Sequence, residues 1–374
     1  EGQIRNLFLS LNSQGFLAYD ETTDKAIIKD RLYYYLSASV GKTDYDIIEF
    51  SSQISGKPNA TLNLLNYDIN MRGVSRVALS DTQNVFVVPT EQEITLKKDR
   101  NFTFDGRVHA GRFDFVGKEF AFNYEEFNLH LKAVDSLSMK IPGEEVMPDG
   151  RVRLIPIRSV LQNVTGYLSI DRATNKSSYQ KSPEYPVFKS DKQSYVYYDY
   201  PYIFNNIYKK NSFYFQIDPF TIDSLDNFKP EGLTFDGSSI SAGILPDIVE
   251  RPSIQQDYSL GFKRVLGDEG LPAYAGKGTY YEKLNLSNNG LRGGGRINYL
   301  NSNSESKDIV FFPDSANADI DDFAMVRKVI AGTEYPSGKA SDIYMNWRPK
   351  QDKMFLYKKA TNFSMYDGRV DHDG

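Results

Sequence analysis

Phe120, Phe122 and Tyr124 alternate with Ala121 and Asn123, and a few residues on Phe127, Leu129 and Leu131 alternate with Asn128 and His130. Successive side chains of a strand point to opposite faces, so a strict period of two buries one set and leaves the other in water. A helix would spread the same residues around its circumference. Shorter runs of the same character precede these: Asp46–Ile54, Asn59–Val74, Val77–Leu79 and Val85–Val88, with a polar turn over Ser80–Asn84 and Pro89 as a stop. Ile343, Met345 and Trp347 alternate near the other end, Pro349 falls in a turn, and Met354 and Leu356 resume the pattern as a hairpin. With 26 Tyr and 24 Phe, the aromatic share of 14% is what pleated, half-buried surfaces favour.

Two departures from strand are expected. Ile157, Val160, Leu161, Val164 and Leu168 have helical spacing over a stretch poor in helix formers, which predicts a short helix running into a strand. Asp218 and Pro219 stand as cap and first residue of a helix carrying Ile222, Leu225 and Phe228, with Pro230 as its stop. Asp319–Ile330 fits either a helix or a strand.

Thr-Phe-Asp-Gly occurs twice, at Thr103–Gly106 and Thr234–Gly237, each followed by Ala-Gly at 110–111 and 242–243. A catalytic motif singles out one position, whereas a recurring punctuation mark belongs to repeated architecture. Asp-Gly-Arg recurs at 105–107, 149–151 and 367–369, and Asp-Gly supplies the positive φ that a tight turn needs. The chain is therefore expected to be mainly β, an elongated β-repeat (a β-solenoid or stacked sheets) with one or two short helices. Its expected parts are a β-repeat region over 1–140, a Tyr-rich β segment with short helices over 141–230 and a second β-repeat region over 231–374.

The formal charge of −5, with both signs mixed along the chain, leaves no basic stripe for nucleic acid. Cysteine is absent, which removes disulfides, thiol nucleophiles and thiolate metal sites. No apolar run reaches the length of a transmembrane helix. The opening Glu1-Gly2-Gln3 reads as a mature or excised piece.

Few residues offer chemistry. His109, His130 and His372 are too dispersed for a zinc site. Asn317, Asp319 and Asp321 alternate as the first half of a calcium loop does, so Ca²⁺ is the one cofactor considered; Asp322 stands where such a loop needs glycine and Lys328 where it needs a closing glutamate. Gly293-Gly294-Gly295 lacks the Gly-Lys-Ser/Thr ending of a phosphate loop and reads as a glycine-bearing strand. The acid pairs Glu125-Glu126, Glu144-Glu145 and Asp268-Glu269 lie in polar surroundings and read as surface. The tract holding Tyr195, Tyr197, Tyr198, Tyr200 and Tyr202 offers flat amphipathic rings that could bind sugar; core packing is the competing role.

The strings Phe213-Tyr214-Phe215, Asp218-Pro219-Phe220, Ile222-Asp223-Ser224-Leu225-Asp226-Asn227-Phe228, Gly232-Leu233-Thr234-Phe235-Asp236-Gly237 and Ser241-Ala242-Gly243-Ile244 follow one another closely. Together with Pro246-Asp247, Asp257–Phe262, Leu291–Gly295 and Phe312–Ser315, they resemble very large, mostly uncharacterised envelope or surface proteins of Bacteroidota. The resemblance implies an internal segment of a longer β-rich protein, exported to the cell envelope or surface, and brings no catalytic residues with it. The expected function is non-catalytic: a structural or interaction segment binding envelope or surface proteins, with a carbohydrate-binding or carbohydrate-active module as the alternative.

Overall fold

The computed structural model describes residues 2–230, 233–335 and 337–359. Among the described residues strands hold 51% and helices 9%, so the chain is mainly β. It divides into two compact units, one of residues 1–135, 165–189 and 221–228, the other of 136–164, 190–220 and 229–374. Both units draw on the stretch between 141 and 230. Pairing between strands distant in sequence makes such a partition, which a linear reading has no means to see.

In the first unit, α1 (Gly2–Ser13) and α2 (Asp30–Ser39) flank a small hairpin of Leu17–Asp20 and Lys25–Ile28. The antiparallel strands of this unit include β1 (Ala60–Leu62), β2 (Ile69–Arg72), β3 (Val85–Pro89), β4 (Glu93–Leu96), β5 (Phe102–Ala110) and β6 (Phe113–Asn123). β1 pairs with β2, β2 with β4, and β5 with β3, β4 and β6. Phe102, Phe104, Phe113, Phe115, Phe120 and Phe122 are all buried, as the period of two requires. Removing one such ring from water stabilises the fold by about 1.5–3 kcal/mol.

The first Thr-Phe-Asp-Gly lies inside β5 and not at a turn. The ladder to β6 slips between Phe104 and Gly106, with Lys118 and Glu119 opposite the single residue Asp105. Asp105 Oδ1 accepts the Glu119 N–H at 2.8 Å, fixing the bulge, and Glu119 takes a φ of 55°. A Cβ on Gly106 would sit 2.3 Å from the Val88 carbonyl oxygen. The turn falls just past Ala110 on Gly111-Arg112, where Gly111 has φ 59°.

In the second unit, β7 (Ser194–Tyr197) pairs with β8 (Phe213–Ile217), and β8 with β9 (Gly237–Ser241). The second Thr-Phe-Asp-Gly ends on the first residue of β9. A Cβ on Gly237 would meet the Gln216 carbonyl oxygen at 2.1 Å, and the positive φ again belongs to the following Ala-Gly, Ala242 at 57° and Gly243 at 76°. Of the Asp-Gly-Arg copies, only that at 149–151 forms a turn among the described residues, with the Met147 N–H donating to the Arg151 carbonyl. The copy at 367–369 and His372 lie outside them.

Beyond β9 the chain folds as an antiparallel meander: β10 (Leu260–Val265), β11 (Gly278–Ser287), β12 (Gly290–Tyr299), β13 (Ser302–Phe312), β14 (Ser315–Met325), β15 (Gly338–Arg348) and β16 (Lys353–Lys358), each paired with the next. Gly293-Gly294-Gly295 is a stretch of β12. A Cβ on Gly293 would come within 1.9 Å of the Lys283 carbonyl oxygen and 2.1 Å of Tyr280 Oη, so glycine there admits the tyrosine, whose hydroxyl donates to the Lys283 carbonyl. The predicted hairpin around Pro349 is β15 and β16, in register from Arg348↔Lys353 to Ile343↔Lys358.

Neither predicted helix forms. Thr221–Ile222 is a strand paired with Phe188 and Lys189, and Ser224 at φ 52° interrupts any helical path to Leu225 and Phe228. Leu161–Gln162 and Val164–Ser169 are strands separated by Asn163 at φ 57°. Burial against a sheet overrides helical spacing in both places. The Asp319–Ile330 ambiguity resolves to strand over Ser315–Met325.

Candidate functional site

The meander buries one face and exposes the other. Ile309, Phe311, Ala316, Ala318, Ile320, Ile343, Met345 and Trp347 point inward. Residues between them form cross-strand rows on the outer face. One row runs Arg292, Val310, Asn317, Asn346 and Phe355, each directly opposite the next. It crosses four inter-strand spacings, about 19 Å. The neighbouring row carries Asp319, Tyr344 and Tyr357.

Aromatic rings crowd the β15–β16 end. Tyr344 is 37% and Tyr357 50% exposed, their ring centroids 6.2 Å apart. Phe355 lies 6.4 Å from Tyr357 with planes 19° apart, and the Arg348 guanidinium sits 5.1 Å from the Phe355 centroid. A polar chain leads away from the rings: Arg348 Nε donates to Asn346 Oδ1 at 2.8 Å, and Asn346 Nδ2 donates to Asn317 Oδ1. These bonds orient both amides. Beyond them, Arg292 grips Asp308 through two parallel bonds, Nε to Oδ1 at 3.0 Å and Nη2 to Oδ2. Lys359 Nζ stands 3.2 Å from Asp319. A shallow depression of about 260 Å³ follows these groups, lined by Arg292, Asp308, Val310, Phe312, Asn317 and Asp319 with Tyr344. Flat rings beside oriented amides and ion-paired carboxylates offer stacking together with donors and acceptors at fixed spacing. Asp308 and Asp319 are both held in ion pairs.

Two of the three residues considered for calcium belong to this face. Asn317 and Asp319 alternate along β14, with Asp321 beyond them on the same strand. In an extended strand hydrogen-bonded on both sides they do not wrap around an ion as a calcium loop does. Among the described residues no group of three or more His, Asp or Glu side chains converges as metal ligands would.

The tyrosine tract does not form one surface. Tyr198 is fully buried and its hydroxyl donates to the Leu260 carbonyl at 2.9 Å, so it cannot touch a ligand. Burial also pushes its hydroxyl pKa far above the usual tyrosine range. Tyr197 is likewise buried, with Tyr195 and Tyr214 around it and Lys210 Nζ 4.4 Å from its ring centroid. Tyr200 and Tyr202 stack on each other at 5.3 Å, and Tyr202 Oη accepts a bond from Asn288 Nδ2. The acid pairs are exposed: Glu125-Glu126 and Asp268-Glu269 on turns, and Glu144-Glu145 at a strand end, where Glu145 pairs with Arg153 at 2.8 Å.

The first unit holds a cleft of about 650 Å³ bordered by Glu91, Glu93, Asp105 and Glu119 with Lys118 and Lys132. Glu93 is tied to Arg72 at 3.3 Å and Asp105 is occupied with the bulge, so two of its four acids serve the sheet.

Sequence patterning alone does not single out Tyr344, Phe355, Tyr357 or Arg292. A signal for the first is nonetheless present: if Ile343, Met345 and Trp347 face inward, Tyr344, Asn346 and Arg348 face outward. The chain matches no protein-family model, no curated protein and no solved structure.

Proposed function

We propose that the chain is a non-catalytic interaction segment of a larger cell-envelope or cell-surface protein, and that it holds a glycan on the outer face of the β12–β16 sheet. The observation that carries the ligand class is the continuity of Tyr344, Phe355 and Tyr357 with the row Asn346–Asn317–Arg292. Apolar faces of sugar rings stack on the aromatics, and hydroxyls meet amide, guanidinium and carboxylate groups already oriented by their own bonds. A row of about 19 Å without a deep pocket suits several units of an extended polymer.

The envelope setting rests on the resemblance of the motif strings from Phe213 to Ser315. What supports a β-repeat or stacked-sheet reading is the likeness of the two Thr-Phe-Asp-Gly blocks. In each, a buried Phe precedes an outward Asp, a crowded Gly and an Ala-Gly turn. The protein-binding alternative would use the same sheet face.

The test is retention of the folded protein on a panel of immobilised envelope and surface polysaccharides. The expected result is retention by at least one polymer, reversed by the matching free oligosaccharide. Passage through the whole panel, with capture of a protein partner through the same face, would replace the glycan with a protein ligand.

A further inference from the structure

The β1–β2 hairpin ends in a loop, Asn63–Asp68, whose chemistry the sheet does not need. Leu64 is 75%, Leu65 94% and Tyr67 65% exposed, with Leu62 also in water just below. A polar turn would connect the strands equally well and would avoid presenting three neighbouring large apolar groups to solvent. The loop is tightly built. Asn63 donates its N–H to the Asp68 carbonyl at 2.9 Å, Tyr67 N–H to the Asn63 carbonyl at 2.8 Å, Leu65 N–H to Asn63 Oδ1 at 2.9 Å, and Asp68 N–H to Asn66 Oδ1 at 3.1 Å. The leucines are held outward by a loop that satisfies four of its own backbone donors.

We propose that this tip is a membrane-seating finger, which places Leu64 and Leu65 in the headgroup–acyl boundary of a bilayer with Tyr67 at the interface. Three features select lipid over a protein pocket. The tip is convex and ends on two successive leucines, which a bilayer accepts without a complementary cavity. Four of its six backbone donors are bonded internally, which lowers the cost of moving the loop into a low-dielectric surrounding. Its rim is charge-balanced: Asp68 is paired with Lys97 Nζ at 2.5 Å, and the next turn carries Lys98 beside Asp99. Insertion is therefore driven by apolar burial and not by attraction to anionic headgroups, and a tyrosine at the base is the residue that favours the interfacial zone. This proposal stands independently of the glycan face.

The chain has no cysteine, so Leu65→Cys provides a single attachment point for an environment-sensitive fluorophore. The labelled protein is mixed with phosphatidylcholine vesicles, beside a control labelled through Asp149→Cys on another exposed turn. The finger predicts a blue shift at position 65 and none at 149. It also predicts flotation of the unlabelled chain with these vesicles, insensitive to salt. Leu64→Ser/Leu65→Ser should lower vesicle partitioning at least about tenfold, since most of the apolar burial comes from these two side chains. Unchanged circular dichroism and thermal melting of the double variant would place the loss at the tip. Absence of flotation, equal flotation of the double variant, or flotation only with phosphatidylglycerol-containing vesicles at low salt would overturn the finger. So would a blue shift produced by a soluble protein partner and not by vesicles.

Discussion

Asn346 and Asn317 stand directly opposite each other on β15 and β14, and the amide of Asn346 donates to the side-chain oxygen of Asn317. Arg348 in turn donates to Asn346, so each amide on the proposed glycan face is fixed by its neighbour. Asn317→Ala removes the central acceptor. Loss of such a bond costs about 1 kcal/mol of stability. Glycan affinity should fall about tenfold, roughly 1.4 kcal/mol, because a pre-oriented polar contact is lost at the centre of the row. Titration calorimetry and urea unfolding on the same variant separate the two effects.

Asn317, Asp319 and Asp321 are spread along an extended strand, and Lys359 already sits against Asp319. Calcium and chelator should therefore leave the melting temperature unchanged. Binding of an ion to the native state would raise it with ion concentration, which a thermal scan over a calcium series detects directly.

The glycines of the repeated motif separate a crowded-backbone role from a turn role. Gly106→Ala and Gly237→Ala each force a Cβ into a carbonyl oxygen, at 2.3 Å and 2.1 Å, and should destabilise on the order of 2–3 kcal/mol. Gly243→Ala meets nothing within 4 Å and bears only the strain of its positive φ, about 1 kcal/mol. Urea unfolding of the three variants should give that order. A larger loss at Gly243 would restore the motif to a turn.

Burial holds the hydroxyls of Tyr198, Tyr208, Tyr274 and Tyr280 protonated well above the ordinary tyrosine range. The unfolded chain releases these protons from about pH 10 upward, whereas the folded chain retains them. The folded state then binds more protons, so stability is fully present below pH 10 and declines as pH rises beyond it. A phenolate absorbance titration should show exposed tyrosines ionising reversibly, and the buried set only together with loss of the native circular dichroism. One reversible step for all 26 tyrosines in a native spectrum would contradict this burial.

The alternation at Phe120–Leu131 and at Ile343–Leu356 is legible in the sequence because period two is a local consequence of strand geometry. The bulge at Asp105 is not, since it depends on Val88 and Glu119 coming alongside. The helices predicted at 157–168 and 218–230 fail for the same reason: partners such as Phe188 and Val196 are supplied from elsewhere in the chain. Among the described residues the two α-helices lie at 2–13 and 30–39, and in the first Ile4, Leu7, Phe8 and Leu11 carry a helical spacing that the strand patterning elsewhere overshadows. Of the candidate site, Asn317 and Asp319 stand out in the sequence for their alternation, which suggests a loop's chemistry. Their role on a sheet face emerges only with Tyr344, Phe355 and Tyr357 in register.

Glycan binding at the aromatic end of the β12–β16 face is decided by calorimetric titration of the eluting oligosaccharide. Wild type and Tyr344→Ala/Tyr357→Ala are compared, both rings being exposed enough to remove without opening the core. Wild type should bind saturably and the double variant at least about tenfold more weakly, as expected when anchoring rings are truncated. Equal affinity of the two proteins, at equal thermal stability, would contradict glycan binding at the aromatic end.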